Sequence, residues 1–421
     1  MMRRWVCIGA MLVLMVSSAG CGKKNIFSRQ TIPVIVSLEL EVQDTISVKR
    51  KIVYDDHGMP SSFTTETLNL YDPEAVPEIR TATITYDPKE RRIRTSNLST
   101  YYVETDSGDA NYVPIIQNYW FDGEGRLLKI ENAHENTMYS YDEQSRITGA
   151  SAQFTDYGNS METTFVTGES GLKSIEKRNS ETYYMMQGSY ERNPRADITY
   201  IHESYDWAYP DYKSHMEKTM TCSYDDTGRV LSQTNIYKDV DASLYQEEIR
   251  FTYEGDSFDV KRIDSDEADL HLQFDHQYEK DLLKQVTTKQ GAYVTTKTYS
   301  YDSSGRLMKI ETKGDSFHEV IEFEQRSVSD PVIASFLRLK PEYLTGNEDD
   351  ASSMFVLAAD TNLWNEHYCY MCGRELPFSY QTCPYCGTKV NCSLYYAGDY
   401  TRLPPSLGLA NLWTIDGELL R

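Results

Sequence analysis

A nine-residue unit recurs along this chain, and it limits the possible fold more than any other feature of the sequence. The clearest copies are Tyr119-Trp-Phe121-Asp122-Gly-Glu-Gly125-Arg126-Leu127, Tyr139-Ser-Tyr141-Asp142-Glu-Gln-Ser-Arg146-Ile147, Cys222-Ser-Tyr224-Asp225-Asp-Thr-Gly228-Arg229-Val230 and Tyr299-Ser-Tyr301-Asp302-Ser-Ser-Gly305-Arg306-Leu307. Weaker copies start at Tyr54-Asp55, Tyr86-Asp87, Tyr253-Glu254 and Phe274-Asp275. Two aromatics two residues apart share one face of a strand. Asp then opens a tight turn, its carboxylate placed to accept backbone N–H groups. A glycine three residues later suits the left-handed position that ends a type I turn with a bulge. Arg starts the return strand, and Leu, Val or Ile restores the apolar face. Each unit therefore reads as a β-hairpin whose recurring residues serve the hairpin itself. Cys222 fills an aromatic slot and is expected to be a buried free thiol.

These units resemble the RHS/YD-repeat family, whose signature is the same Tyr-Asp-x-x-Gly-Arg-Leu, over about Ile52 to Arg326. The resemblance implies a mainly β fold: an extended antiparallel sheet of hairpin repeats over 45–326. It also implies an extracellular or surface protein of a family in which many members bind carbohydrate or partner proteins. Long members wrap into shells around toxins. This body is short for a shell, and Asp330-Pro331 is followed by Val-Ile rather than by the family's boundary motif, so toxin delivery is not expected.

The chain has 33 tyrosines in 421 residues and an apolar fraction of 40%, so much of any core must be aromatic with a polar edge. Its formal charge is −22, from 64 acidic and 42 basic residues. That field repels phosphate backbones and argues against nucleic acid as a partner.

The N-terminus reads as an address. Met1-Met2-Arg3-Arg4 is followed by the apolar run Trp5–Val16, too short to span a bilayer comfortably, and then by Ser17-Ser18-Ala19-Gly20-Cys21. This is similar to a bacterial lipoprotein signal, with Ser18 where leucine is usual. The resemblance implies that residues 1–20 are removed and that Cys21 is acylated, anchoring the protein in the cell membrane on its extracytoplasmic face. Loss of Arg3 and Arg4 with that segment takes the charge from −22 to −24. Cleavage after Ala19 would instead release a soluble chain, and retention would leave a short anchor. Residues 21–44 are then a tether and a first strand, with Val34, Val36 and Leu38 alternating near its end.

A second signal lies near the C-terminus. Cys369-Tyr-Met-Cys372-Gly373 is followed by Cys383-Pro-Tyr-Cys386-Gly387, with ten residues between Cys372 and Cys383. Two Cys-x-x-Cys-Gly corners can converge their sulfurs on one tetrahedral metal, and 364–396 resembles a small zinc-ribbon-like domain with structural zinc on Cys369, Cys372, Cys383 and Cys386. Disulfides remain open in an oxidising compartment. Iron in a rubredoxin-like site also remains open, as does a thiol-redox role for Cys383 and Cys386, whose Cys-Pro-Tyr-Cys looks like a glutaredoxin active site. Cys392 and His367 have no evident partner. Residues 327–363 read as a connector in which Pro331–Lys340 can form a short helix, and 397–421 as a tail.

The sequence has no Gly-rich phosphate loop, His-Glu-x-x-His helix or Gly-x-Ser-x-Gly elbow, so nothing in it supports an enzyme or a small-molecule substrate. The reading is a non-enzymatic surface scaffold, with tyrosine-rich faces for a glycan, cell-wall polymer or protein. An extracytoplasmic thiol-redox protein and a purely structural envelope component are the alternatives.

Overall fold

Strand after strand alternates side chains between an apolar face and a charged one, and that alternation decides which face turns inward. The structure, a computed structural model, describes residues 30–337 apart from short segments at turns, the longest being 105–109 and 239–243, together with four two-residue strands between 367 and 420. Twenty-two strands, numbered from β1 (Gln30–Val42) to β22 (Phe317–Val328), form one antiparallel sheet. Each strand pairs with the next in sequence. The sheet then closes on itself, because β1 also pairs with β22 from Gln30↔Val328 to Val42↔Phe317. The expected antiparallel sheet of hairpins is present; the closure, which removes both free edges, has no counterpart in the extended sheet read from the sequence.

Closure by a simple up-and-down path has a topological consequence. With an even number of strands, every even-to-odd turn lies on one rim, and the chain enters β1 and leaves β22 at that same rim. The Tyr-Asp turns are the even-to-odd turns. They follow β2 (Ile46–Tyr54), β6 (Ala110–Phe121), β14 (Tyr212–Tyr224) and β20 (Tyr293–Tyr301), among others.

The turn chemistry matches the expectation closely. Asp122 Oδ1 accepts from the Glu124 and Arg126 amides at 2.8 and 2.9 Å, and its Oδ2 pairs with Arg126 Nε. Asp225 does the same with Thr227 and Arg229, and Asp302 Oδ1 accepts from the Ser304 and Arg306 amides. Gly125 has φ 83° and Gly58 φ 81°, the left-handed position the turn requires. A register shift at Phe121, Tyr141, Tyr224, Tyr253 and Tyr301 supplies the bulge. One weak copy is corrected. Phe274-Asp275 lies inside strand β18 (Leu270–Glu279) and not at a turn, and Asp275 pairs with Lys289 on the outer face.

A round wall of 22 strands would enclose a wide lumen. Many of its described inner side chains are nonetheless buried. Tyr119, Tyr205 and Ile249 are all fully buried, and Cys222 is buried as a free thiol, as expected. Helix α1 (Pro331–Phe336) packs on the rim of Tyr-Asp turns. Asp330 caps it, accepting from Val332 N at 2.8 Å and from the Tyr86 hydroxyl at 2.9 Å. Phe336 meets Tyr119 edge-on with centroids 5.5 Å apart. Gly125 lies so close to Pro331 and Ser335 that no side chain fits between them.

Candidate functional site

The repeat residues come first, because they are the most numerous candidates. Their aromatics point inward: Tyr54, Tyr119 and Tyr299 are buried, while Tyr86, Tyr141, Tyr224, Tyr253 and Tyr301 pack against the core. The described repeat tyrosines are therefore not displayed as a face for a ligand. Their hydroxyls turn back to the wall, Tyr54 donating to Ile35 O at 2.7 Å and Tyr141 to Leu127 O at 2.8 Å. Burial raises the Tyr54 and Tyr141 hydroxyl pKa values well above the usual range, so both remain protonated donors.

The repeat arginine has a role that single-unit reasoning missed. Arg126 lies over the Tyr141 ring at 5.3 Å and Arg229 over Tyr253 at 5.1 Å, so the cation of one hairpin covers the aromatic of the next. Lys284 takes the same part toward Tyr301, and Arg326 over Tyr54 joins the last strand to the first hairpin across β1. Burial pushes the Asp225 carboxyl up, but hydrogen bonds from Thr227 and Arg229 outweigh it and hold the carboxyl well below the usual range. At these described positions the turns of the rim are linked hairpin to hairpin.

The inner face also carries a polar row. On β15 (Val230–Lys238), Gln233 donates to Asn235 at 2.9 Å. Asn235 and Ser265 then donate to the two oxygens of Glu247 at 2.9 and 2.8 Å. All four side chains are buried, and Lys218 lies 5.1 Å from the Tyr205 ring on the same face. These groups satisfy one another, as buried polar groups must, and form a fixed internal seam.

The outer wall is charged. Arg262–Asp264, His271–Asp266 and Lys289–Asp275 pair at 2.6 to 2.9 Å, and Arg250 also pairs with Asp266. Glu311, flanked by Lys313, His318 and Lys309, has its carboxyl lowered to about 2. A membrane-spanning barrel needs an apolar outer band about 25 Å tall. The strands that carry these described pairs do not supply one.

The most exposed large apolar side chains among the described residues lie on the rim opposite the Tyr-Asp turns. Tyr71, Val76, Ile79 and Tyr293 are 64 to 84% exposed. The turns beneath Tyr71, Val76 and Ile79 are joined to their neighbours: Gln43 N donates to Ser316 O at 2.7 Å and Leu70 N to Thr45 O at 2.9 Å, while Thr45 Oγ1 donates to the Tyr71 hydroxyl at 3.3 Å. This ledge of exposed aromatic and apolar side chains on a hydrogen-bonded base is the candidate binding surface. Tyr71-Asp72 carries the repeat dipeptide without the Gly-Arg-Leu that completes a unit, a signal by which it could have been set apart.

Cys21, Cys369, Cys372, Cys383 and Cys386 lie outside the described residues. Two short strands are described beside the first cysteine pair: His367–Tyr368 pairs antiparallel with Glu375–Leu376. In sequence, Cys369-Tyr-Met-Cys372-Gly-Arg lies between them. Among the described residues no group of three or more His, Cys, Asp or Glu is placed to hold a metal.

No protein-family profile matches the chain, and no curated protein matches it in sequence. Solved structures similar to it include TcdB2-TccC3 without its hypervariable C-terminal region, at 13% identity and TM-score 0.30, covering 87% of this chain and 22% of that one. Others are porin-like proteins from Bacteroides vulgatus, at 11% identity and TM-score 0.28 over 54% of this chain and 98% of that one, and from Bacteroides uniformis, at 11% and 0.26 over 69% and 96%. The chain spans less than a quarter of the first structure's length, and at these TM-scores none of the three carries an inference about it.

Proposed function

We propose that this chain is a non-enzymatic cell-envelope lipoprotein, acylated at Cys21, whose YD-repeat barrel is a rigid scaffold holding a binding surface for a glycan, a cell-wall polymer or a surface protein. The observation that carries the reading is the ledge of Tyr71, Val76 and Ile79, which are 64 to 84% exposed on a hydrogen-bonded base. The exposed Tyr71 ring can stack on a sugar or anchor a protein contact, and the hydrogen-bonded turns beneath it limit the entropy lost on binding. Co-sedimentation of the C21S chain with purified cell-wall polymer, together with a glycan array and a panel of surface proteins, tests it. Tyr71→Ser with Val76→Ser should weaken the interaction at least tenfold without changing circular dichroism. Undiminished binding by that variant, or binding to none of these ligands, contradicts the reading.

In the same reading the four C-terminal cysteines hold one structural zinc. The pairing of His367–Tyr368 with Glu375–Leu376 supports it, since a hairpin bracketing Cys-x-x-Cys-Gly suits one corner of a tetrahedral thiolate site. Four thiolates leave zinc no open position, so its contribution is to the stability of the module. One zinc per chain is expected, with the four thiols unreactive until a chelator is added. A metal-free dithiol at Cys383 and Cys386 that turns over a disulfide substrate would replace zinc with the redox alternative.

A further inference from the structure

We infer that the rim of Tyr-Asp turns is the membrane-facing end of the barrel, and that the ledge of Tyr71, Val76 and Ile79 is held outward at the far end. The inference rests on the acylation of Cys21 proposed above and adds an orientation to it.

The argument is topological. β1 begins at Gln30, opposite Val328 at the end of β22, so the chain enters and leaves the wall at one rim. That rim carries the Tyr-Asp turns. Gly58, in the first of them, lies against Val328, and Gly125 lies against Pro331 and Ser335 of α1. The chain beyond Leu337, which leads to the four cysteines, starts from there as well. Nine residue steps separate Cys21 from Gln30, a reach of about 30 Å at full extension. β1 has 13 residues. At about 3.3 Å per residue and a tilt of 35–45°, the wall along such a strand is about 30 Å tall. To bring the opposite rim to the bilayer, the tether would have to run back over the whole outer wall and would have no length left. With the Tyr-Asp rim down, it needs almost none. Charge does not choose between the rims, since Glu90 and Glu124 are exposed on one and Glu74 and Glu78 on the other. The tether does.

The consequence is a division of labour between the two ends. The rim built from repeat signatures and sealed by α1 serves attachment. The rim made of the irregular turns 43–45, 70–77 and 291–292 faces away from the lipid and is free to meet a partner.

The test uses the full acylated chain in vesicles containing a rhodamine lipid, with p-azidophenylalanine in place of Lys89 or Asp226 on the Tyr-Asp rim, or of Asp44 or Ala292 on the other. Each position is labelled with a donor dye. Energy transfer to the lipid should be severalfold stronger from Lys89 and Asp226 than from Asp44 and Ala292. Equal transfer from the two rims, or the reverse order, in a chain whose Cys21 peptide carries lipid by mass, overturns the orientation and leaves the anchor standing. A Cys21 peptide without lipid overturns the anchor reading and this inference together.

Discussion

Gly125→Ala should destabilise the folded chain by about 3–4 kcal/mol, whereas Gly291→Ala should cost only about 1 kcal/mol. Both glycines have positive φ, 83° and 58°, so both substitutions carry the same backbone penalty for an L residue in the left-handed region. Their surroundings differ. A Cβ at Gly291 meets nothing within 4 Å, but at Gly125 it would lie 2.6 Å from Pro331 O and 2.7 Å from Ser335 Oγ. The first of those atoms is backbone, so helix α1 has to lift. Lifting it withdraws Phe336 from Tyr119, exposes Leu337 and strains the Tyr86–Asp330 hydrogen bond. The difference of about 2–3 kcal/mol between the two variants measures how firmly α1 is seated. Equal thermal or urea midpoints for the two would show that α1 contributes little to the stability of the rim.

The turns were legible in the sequence because each residue of the unit answers a local demand. Asp122 must satisfy two amides, Gly125 must adopt positive φ, and Phe121 and Leu127 must share a face. Those demands act within nine residues and recur, so they can be read without a structure. Short-range chemistry also placed a strand near Val34 and a helix starting at Pro331. It misplaced Phe274-Asp275, since an aromatic before an acid inside a continuous strand looks the same as one before a turn. The internal seam was hidden for a related reason. Ser232-Gln233-Thr234-Asn235 is polar on both faces, so a period of two cannot show that Gln233 and Asn235 point inward.

What lay beyond the sequence was the relation between distant parts. Arg126 reaches an aromatic 15 positions on and Arg229 one 24 positions on, so no fixed spacing announces the contact. The ledge depends on turns from opposite ends of the chain, with Gln43 bonded to Ser316. Tyr71 was not singled out in the sequence, and its exposure needed the wall to be built. The closure has no local signature at all, because pairing β1 with β22 joins residues nearly 300 positions apart.

That closure is the claim on which the rest depends. It fixes the even-stranded path, the common rim for both chain ends and the absence of free edges. Ser37 on β1 and Glu322 on β22 are register partners on the outer face, with Ser37 Oγ donating to the Glu322 carboxylate at 3.0 Å. Antiparallel partners have Cα atoms about 4.5–5.5 Å apart, within the span of a disulfide. The outward position keeps the substitution clear of the core and of the buried Cys222. A bond there closes a loop across 285 positions, which by chain entropy alone stabilises the protein by as much as about 5 kcal/mol, the largest effect expected of any change considered. The most direct measurement is peptide mapping of oxidised S37C/E322C by mass spectrometry, with the unfolding midpoint followed in parallel. The closed barrel predicts a monomer in which the 37- and 322-containing peptides are joined and the midpoint is raised until reductant is added. An open sheet predicts no such peptide, or a bond formed only between two chains, and either result would contradict the closure.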